Sequence, residues 1–292
     1  MASKKPVPIP IPAPEMALID KIYEGIKITH SSQLRLSRLG ASSIGDNCLR
    51  KIWLGWRGYD KSEFDGRMHR LFQTGHLQEQ RVINDLIQAG CSVWAVDSKG
   101  EQFAWTDKTG HFVVKVDGVI KGIEGAEDKA HILEVKTHNT KSFADLEKNG
   151  VEVSKPSHYF QMQAGMLFSG IDRAFYVALN KDDERYYVRR IKPDLTVQSE
   201  ILLRIKILLE ADLRPAGAGE NIENFPCRWC DYKQVCYDKK APIKTCRSCE
   251  FSHPVENGKW NCAYHEKELS LNDQLKACDS YEIKGGICNI TL

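Results

Sequence analysis

Apolar positions early in the chain recur at helical spacing. Leu71, Leu77, Val82, Ile83, Leu86 and Ile87 fall near one face of a segment from Gly66 to Ala89, which predicts a long helix closed by Gly90. A shorter helix is predicted from about Pro14 to Ile26. From Cys91 the texture changes to short runs rich in β-branched and aromatic residues: SVWAV, EQFAW, HFVVKVDGVI and HILEVKT, parted by turn material. These predict consecutive strands of one sheet. Pro156 opens another helix through HYFQMQAGMLFSG, two strands follow in RAFYVALN and RYYVRRI around an Asp-Asp-Glu turn, and a last helix is predicted from about Asp194 to Leu213.

That order predicts an α/β protein with a mixed central sheet flanked by helices and buried at its centre. Residues 1–14 alternate proline with small apolar residues and predict a flexible, extended tail. Past Pro226 regular patterning gives way to cysteines, and no internal repeat is visible. The expected organisation is therefore a tail (1–14), a core (15–240) and a cysteine-rich module (241–292).

Composition narrows the function classes. With 292 residues, 42% hydrophobic and 27% charged, the chain can bury one large core and is not disordered in bulk. The net charge of +2 leaves no global basic field, so any nucleic acid must be met by a local groove. There is no apolar run long enough to cross a membrane and no signal-peptide pattern, so a cytoplasmic protein is expected. Ten cysteines in a reducing compartment are poor disulfide candidates. Eight fall into two sets, and Cys91 and Cys288 are read as inert thiols.

The first set is Cys48, alone in GDNCLRKIW, with Cys227, Cys230 and Cys236 in a C-x2-C-x5-C run. Thiolates at this spacing suit either zinc or an iron-sulfur cluster. The second, Cys246, Cys249, Cys262 and Cys278, is spaced as C-x2-C-x12-C-x15-C, close to a small tetrahedral zinc site, with His253 and His265 as substitute ligands. A segment this short and poor in aliphatics needs a staple to fold. Trp260, Tyr264, Lys259 and Lys267 within it read as ordinary exposed surface rather than a nucleic-acid contact.

The acidic residues carry the chemistry. Asp117 ends the strand HFVVKV, and Glu134-Val135-Lys136 lies inside HILEVKT, where alternation puts Glu134 and Lys136 on one face and Val135 on the other. Two carboxylates converging from neighbouring strands make a hard oxygen site for Mg²⁺ or Mn²⁺, and a lysine beside them can orient an attacking water and offset phosphorane charge.

With Thr74-Gly75-His76-Leu77-Gln78-Glu79 upstream, Asp117-Gly118, Glu134-Val135-Lys136 and then Gln161 on the helix after Pro156, residues 40–240 resemble the RecB and lambda-exonuclease branch of the PD-(D/E)XK nuclease superfamily. The resemblance implies a restriction-endonuclease-like core. It implies Asp117, Glu134 and the Val135 carbonyl as metal ligands, Lys136 beside the nucleophilic water, and Glu79 or His76 as a further ligand from the helix. Gln161 matches the family glutamine and Gln163 is its neighbour, while Gly165 stands where relatives carry tyrosine. One cysteine before the core and three after it resemble the 4Fe-4S clamp of AddB-type and CRISPR-associated nucleases, with Cys48-Leu-Arg-Lys in place of Cys-Pro-Arg-Lys.

The function this implies is a metal-dependent deoxyribonuclease, an exonuclease of DNA recombination, repair or replication in a bacterium or its virus. DNA is the expected partner, with a recombination or replication protein as a second. Two alternatives remain: a catalytically silent nucleic-acid or protein binding scaffold on the same fold, and a sequence-specific endonuclease.

Overall fold

A computed structural model describes residues 13–30, 38–61 and 64–285. Most of the expected tail, residues 1–12, and Cys288 lie outside them. The elements in chain order are α1 (Ala13–His30), β1 (Leu39–Gly40), α2 (Ala41–Ile44), α3 (Leu49–Trp56), α4 (Gly66–Gln88), β2 (Ser92–Trp94), β3 (Ala104–Thr106), β4 (Phe112–Lys115), β5 (Gly118–Lys121) and β6 (His131–His138). There follow α5 (Thr140–Ser154), α6 (Pro156–Ser169), β7 (Ala174–Asn180), β8 (Tyr186–Ile191), α7 (Leu195–Glu210), α8 (Lys233–Cys236), β9 (Ser252–Pro254), β10 (Trp260–Cys262), β11 (Lys267–Leu269) and α9 (Leu271–Gln274). No described helix is long and apolar enough to cross a membrane.

The chain divides into two compact units, and the boundary falls within α4, after Leu77. The smaller holds residues 1–33 and 63–77, that is, α1 and the first half of α4. Asp65 accepts the Met68 amide at 2.7 Å and so starts α4. His30 stacks on His69 at 4.8 Å, and Phe64 meets Phe72 edge-on at 4.9 Å. Gly66 is required here, because a Cβ would lie 2.0 Å from the Tyr23 carbonyl oxygen.

The larger unit, residues 34–62 and 78–292, carries a five-stranded mixed sheet in the order β2-β5-β6-β7-β8. β6 and β7 run parallel, with Glu134 opposite Tyr176, and the other pairs are antiparallel. Every residue of β7 is buried, as a central strand covered on both faces must be. One face, through Leu133, Val135, Val177 and Leu179, packs with Val82 and Ile83 of α4. The other, through Ile132, Ala174, Tyr176 and Ala178, joins the main core with Met162 and Ala164 of α6 and Ile201 and Ile205 of α7. The predicted α/β class and buried sheet centre are therefore present. Leu71, Leu77 and Ile87 are exposed, so the apolar stripe of α4 is narrower than its sequence pattern.

The strand grouping differs from expectation. β3 and β4 leave the main sheet and form a second one in the order β1-β4-β3. HFVVKVDGVI is two strands, not one, and the break comes at Val116-Asp117. The Val116 amide still donates to Phe103 beside β3 (3.3 Å), whereas the Asp117 amide donates to Leu133 on β6 (3.2 Å). The chain thus changes sheets at the residue singled out as a ligand. Gly118 follows because a Cβ there would press to 2.8 Å on the Trp94 carbonyl oxygen of the neighbouring strand.

Helix α5 was not expected. Asn139 caps it by accepting the Ser142 amide at 2.9 Å, and Phe143, Leu146 and Val151 are buried on its inner side. Nor does order end at Pro226: β9, β10 and β11 form an antiparallel meander in the same unit as the sheet. Its Trp260, expected on the surface, is fully buried against Trp56 of α3 at 4.9 Å between ring centres. The pairing of two indoles from distant segments is invisible to local pattern.

Candidate active site and cysteine cavities

Strand β6 presents Glu134 and Lys136 to the α6 side of the sheet, as alternation requires. Glu134 is completely buried. One of its oxygens takes the Lys136 ammonium and the other accepts from the Gln161 amide at 2.9 Å. Gln161, itself 9% exposed, opens the buried stretch of α6, which runs to Met166. Asp117 reaches across the seam between the sheets, where its Oδ2 accepts the Val135 amide at 2.8 Å.

Electrostatics tie the set together. Burial pushes the Glu134 carboxyl up, Lys136 pulls it back, and the carboxylates of Asp117 and Glu79 push it up again. For Lys136 burial opposes the charged form, but Glu134, Asp117 and Glu79 outweigh it and hold the ammonium above its usual range. Asp117 and Glu79 both act on Glu134 and on Lys136, so three carboxylates and a lysine form one electrostatic group. Glu79 belongs to this group and to the larger unit, whereas His76 belongs to the smaller.

The two glutamines separate by geometry. Gln163 is fully buried and bonds the Lys192 carbonyl (2.9 Å), the Asp194 amide (2.9 Å) and Gln198 (3.3 Å), which ties α6 to the start of α7. Gln161 alone of the two touches the acidic cluster. Gly165, in the tyrosine position, backs onto Ile132 and Val116, the nearest atoms to a Cβ there being 3.4 and 3.6 Å away.

Sequence reading missed a polar wall beside the cluster. The Tyr176 hydroxyl lies between His138 Nε2 (3.0 Å) and His158 Nδ1 (2.9 Å), and His138 Nδ1 is 3.0 Å from Ser142. Burial, helped by the Lys155 and Lys136 charges, pushes His138 down to about 4. Burial, then Lys136, His138 and Lys155, pushes His158 down to about 3. Both imidazoles are neutral at pH 7. The signal was available: His138 continues the Glu134, Lys136 alternation, and His158 precedes Gln161 by three residues on one helix face.

The first cysteine set converges. Cys48 caps α3 by accepting the Lys51 amide at 3.4 Å. It lines a cavity of about 400 Å³ together with Cys227, Cys230 and Cys236. Donors point at the sulfurs: the Tyr237 hydroxyl to Cys227 (3.1 Å) and Arg50 to Cys236 (3.9 Å). Burial raises the thiols of Cys230 and Cys236, and the Cys48 sulfur raises both further. Cys91 stands apart, its thiol 3.6 Å from the Gly122 carbonyl oxygen.

The second set, Cys246, Cys249, Cys262 and Cys278, lines another cavity of about 460 Å³ together with His265. His265 Nε2 lies 3.5 Å from the Cys278 sulfur, while His253 does not line this cavity. Among the described residues, no group of three or more His, Cys, Asp or Glu side chains forms a ready-made metal cage. The donors share cavities rather than coordination spheres.

No family model and no curated protein matches this chain. Among solved structures it is similar to an alkaline exonuclease from Laribacter hongkongensis, at 18% identity and a TM-score of 0.41 over 63% of this chain and 92% of that one. The complex of that exonuclease with dAMP aligns at 18% identity and a TM-score of 0.43, over 64% and 90%. A phage-related exonuclease from Haemophilus somnus aligns at 14% identity and 0.41, over 60% and 93%. With every one of these TM-scores below 0.5, the functional reading rests on the site itself.

Proposed function

We propose that the chain is a divalent-metal-dependent DNA nuclease that degrades from ends, hydrolysing phosphodiester bonds. The observation that carries this is the gathering of Asp117, Glu134 and Glu79 around one lysine at the seam of two sheets, with Glu134 held from both sides. Acids this crowded lower their mutual repulsion by taking a cation, and hard carboxylate oxygens suit Mg²⁺ or Mn²⁺.

Asp117, Glu134 and Glu79, with the Val135 carbonyl, would hold the ion. When bound it supplies Lewis acidity toward the phosphodiester and favours deprotonation of the attacking water. Lys136 keeps its proton against burial, so it orients that water and offsets the charge building on phosphorus. Gln161 fixes the Glu134 carboxylate in one orientation. The neutral His138–Tyr176–His158 array closes the wall without adding charge.

The same reading assigns Cys48, Cys227, Cys230 and Cys236 to a 4Fe-4S cluster. Four thiols on one cavity with N–H and O–H donors aimed at three of them fit such a group, whose sulfurs gain from hydrogen bonds. The cluster would join residue 48 to residue 236 and reduce the entropy of the unfolded chain. The intact acidic set favours this reading over a silent binding scaffold.

The test is to incubate protein purified without oxygen with end-labelled linear DNA and closed circles in Mg²⁺ or Mn²⁺, with and without EDTA. Metal-dependent loss of linear DNA and survival of circles is the expected result. Cutting of circles would make it an endonuclease, and no cutting in any metal would sink the reading.

A further inference from the structure

Strands β6, β7 and β8 lie side by side, with Ile132 opposite Ala174 and Ala174 opposite Ile191. The residues one place further out, His131, Arg173 and Lys192, therefore form a row at one end of the sheet, and alternation turns His131 to the face opposite Glu134. With Arg190, two places before Lys192, they line a cavity of about 810 Å³. The nuclease reading uses none of these four.

His131 is completely buried. Its Nδ1 lies 3.0 Å from the Lys129 carbonyl oxygen, which can only accept, so the ring proton is on Nδ1 and Nε2 of the neutral imidazole is an acceptor. Nε2 has no hydrogen-bond partner among the described residues. Burial, together with the charges of Arg173 and Arg190, holds the imidazole below its usual range against the Lys129 carbonyl and Asp172, so the ring is neutral at pH 7. A buried acceptor left open in this way calls for a donor that the chain does not supply.

The cations on the wall suit a phosphate, whose oxygens are met by arginine forks and a lysine ammonium. The nearby carboxylates are engaged with the protein's own donors or stand exposed. Asp194 caps α7 through the Thr196 and Val197 amides and accepts the Tyr159 hydroxyl at 3.4 Å. Asp172 meets Arg173 Nε at 3.3 Å, and Glu127, which acts on Arg190, accepts the Gly125 amide at 2.7 Å. Glu152 is exposed. Tyr159, Pro193 and Leu195 add a ring and apolar surface to the lining, and the volume falls in the usual range for small-molecule sites.

We propose that this cavity binds a nucleoside monophosphate, its phosphate held by Arg173, Arg190 and Lys192, a hydroxyl or amino group of the same molecule donating to His131 Nε2, and its base lying against Tyr159. The cations select the phosphate, and the fixed acceptor selects a ligand that carries a donor beside it.

The inference does not depend on the nuclease reading. Binding of AMP to the full-length protein is measured by titration calorimetry in buffer without divalent metal, with inorganic phosphate and a short 5′-phosphorylated oligonucleotide as competitors. The expected result is saturable binding of AMP. Arg190→Gln/Lys192→Gln, at two exposed positions, should weaken it by a factor of about 10 or more. His131→Phe, which keeps a ring beside Phe175, should weaken it by a factor of about 5. Glu134→Gln/Lys136→Met should bind AMP as wild type does. Absence of saturable binding, unchanged affinity in Arg190→Gln/Lys192→Gln or His131→Phe, or loss of binding in Glu134→Gln/Lys136→Met would each overturn the proposal. So would inorganic phosphate binding as tightly as AMP, or displacement of AMP by the oligonucleotide, which would make a DNA strand the occupant.

Discussion

Glu134 is a costly residue to bury. Its carboxylate is out of reach of water and has a single cation, Lys136, that also serves Asp117 and Glu79. Burying such a group costs stability. Replacing the pair with neutral residues of similar shape, Glu134→Gln with Lys136→Met, should leave stability unchanged or raise it by about 1 kcal/mol. Lys136→Met alone should cost about 3 kcal/mol, at the low end for a broken buried pair because 28% of the lysine side chain meets solvent. Urea unfolding of the three proteins measures this. A double variant clearly weaker than Lys136→Met would show that the pair stabilises the fold.

The elements that hold this site depend on close backbone approach. Gly45 ends α2 against α6, where a Cβ would lie 2.7 Å from Phe160 Cβ and 2.9 Å from Ser157 Cα. Gly45→Ala should therefore force the helices apart and cost about 1–3 kcal/mol. Because α6 carries Gln161, activity should fall with it; a variant of wild-type stability would contradict the packing. Much of this level was legible. β6, β7, β8, α6 and α7 follow from alternation, a proline start and a capping aspartate, and Glu134 and Lys136 share a face for the same reason. What was not legible depends on partners distant in sequence. Nothing local announces that the chain changes sheets at Asp117, that Trp260 finds Trp56, or that Glu79 acts on Glu134 and Lys136. Helix α5 is a different case, since Asn139 with Phe143 and Leu146 was a readable signal obscured by Gly150, whose φ of 73° breaks the pattern.

At the scale of the whole molecule, buried neutral histidines set the acid limit. His138 and His158 are pushed down to about 4 and about 3, from an ordinary value near ~6.5. Between those values the unfolded chain binds protons that the native state refuses, so stability is full above about pH 6.5 and declines as pH falls toward 4. The melting temperature should drop steadily from pH 7 to pH 5, and His158→Gln should flatten the slope. A melting temperature that is flat or rises on acidification would contradict burial of these rings in neutral form.

The central claim is that the acids and lysine at the seam cut DNA, and the double variant tests it without the complication of unfolding. Wild type and Glu134→Gln/Lys136→Met, matched for iron content and melting temperature, would be compared on end-labelled linear DNA in Mg²⁺ and Mn²⁺. The account predicts that wild type shortens the DNA and that the variant is slower by at least a factor of about 100. Equal degradation by both would place the chemistry elsewhere and contradict the account.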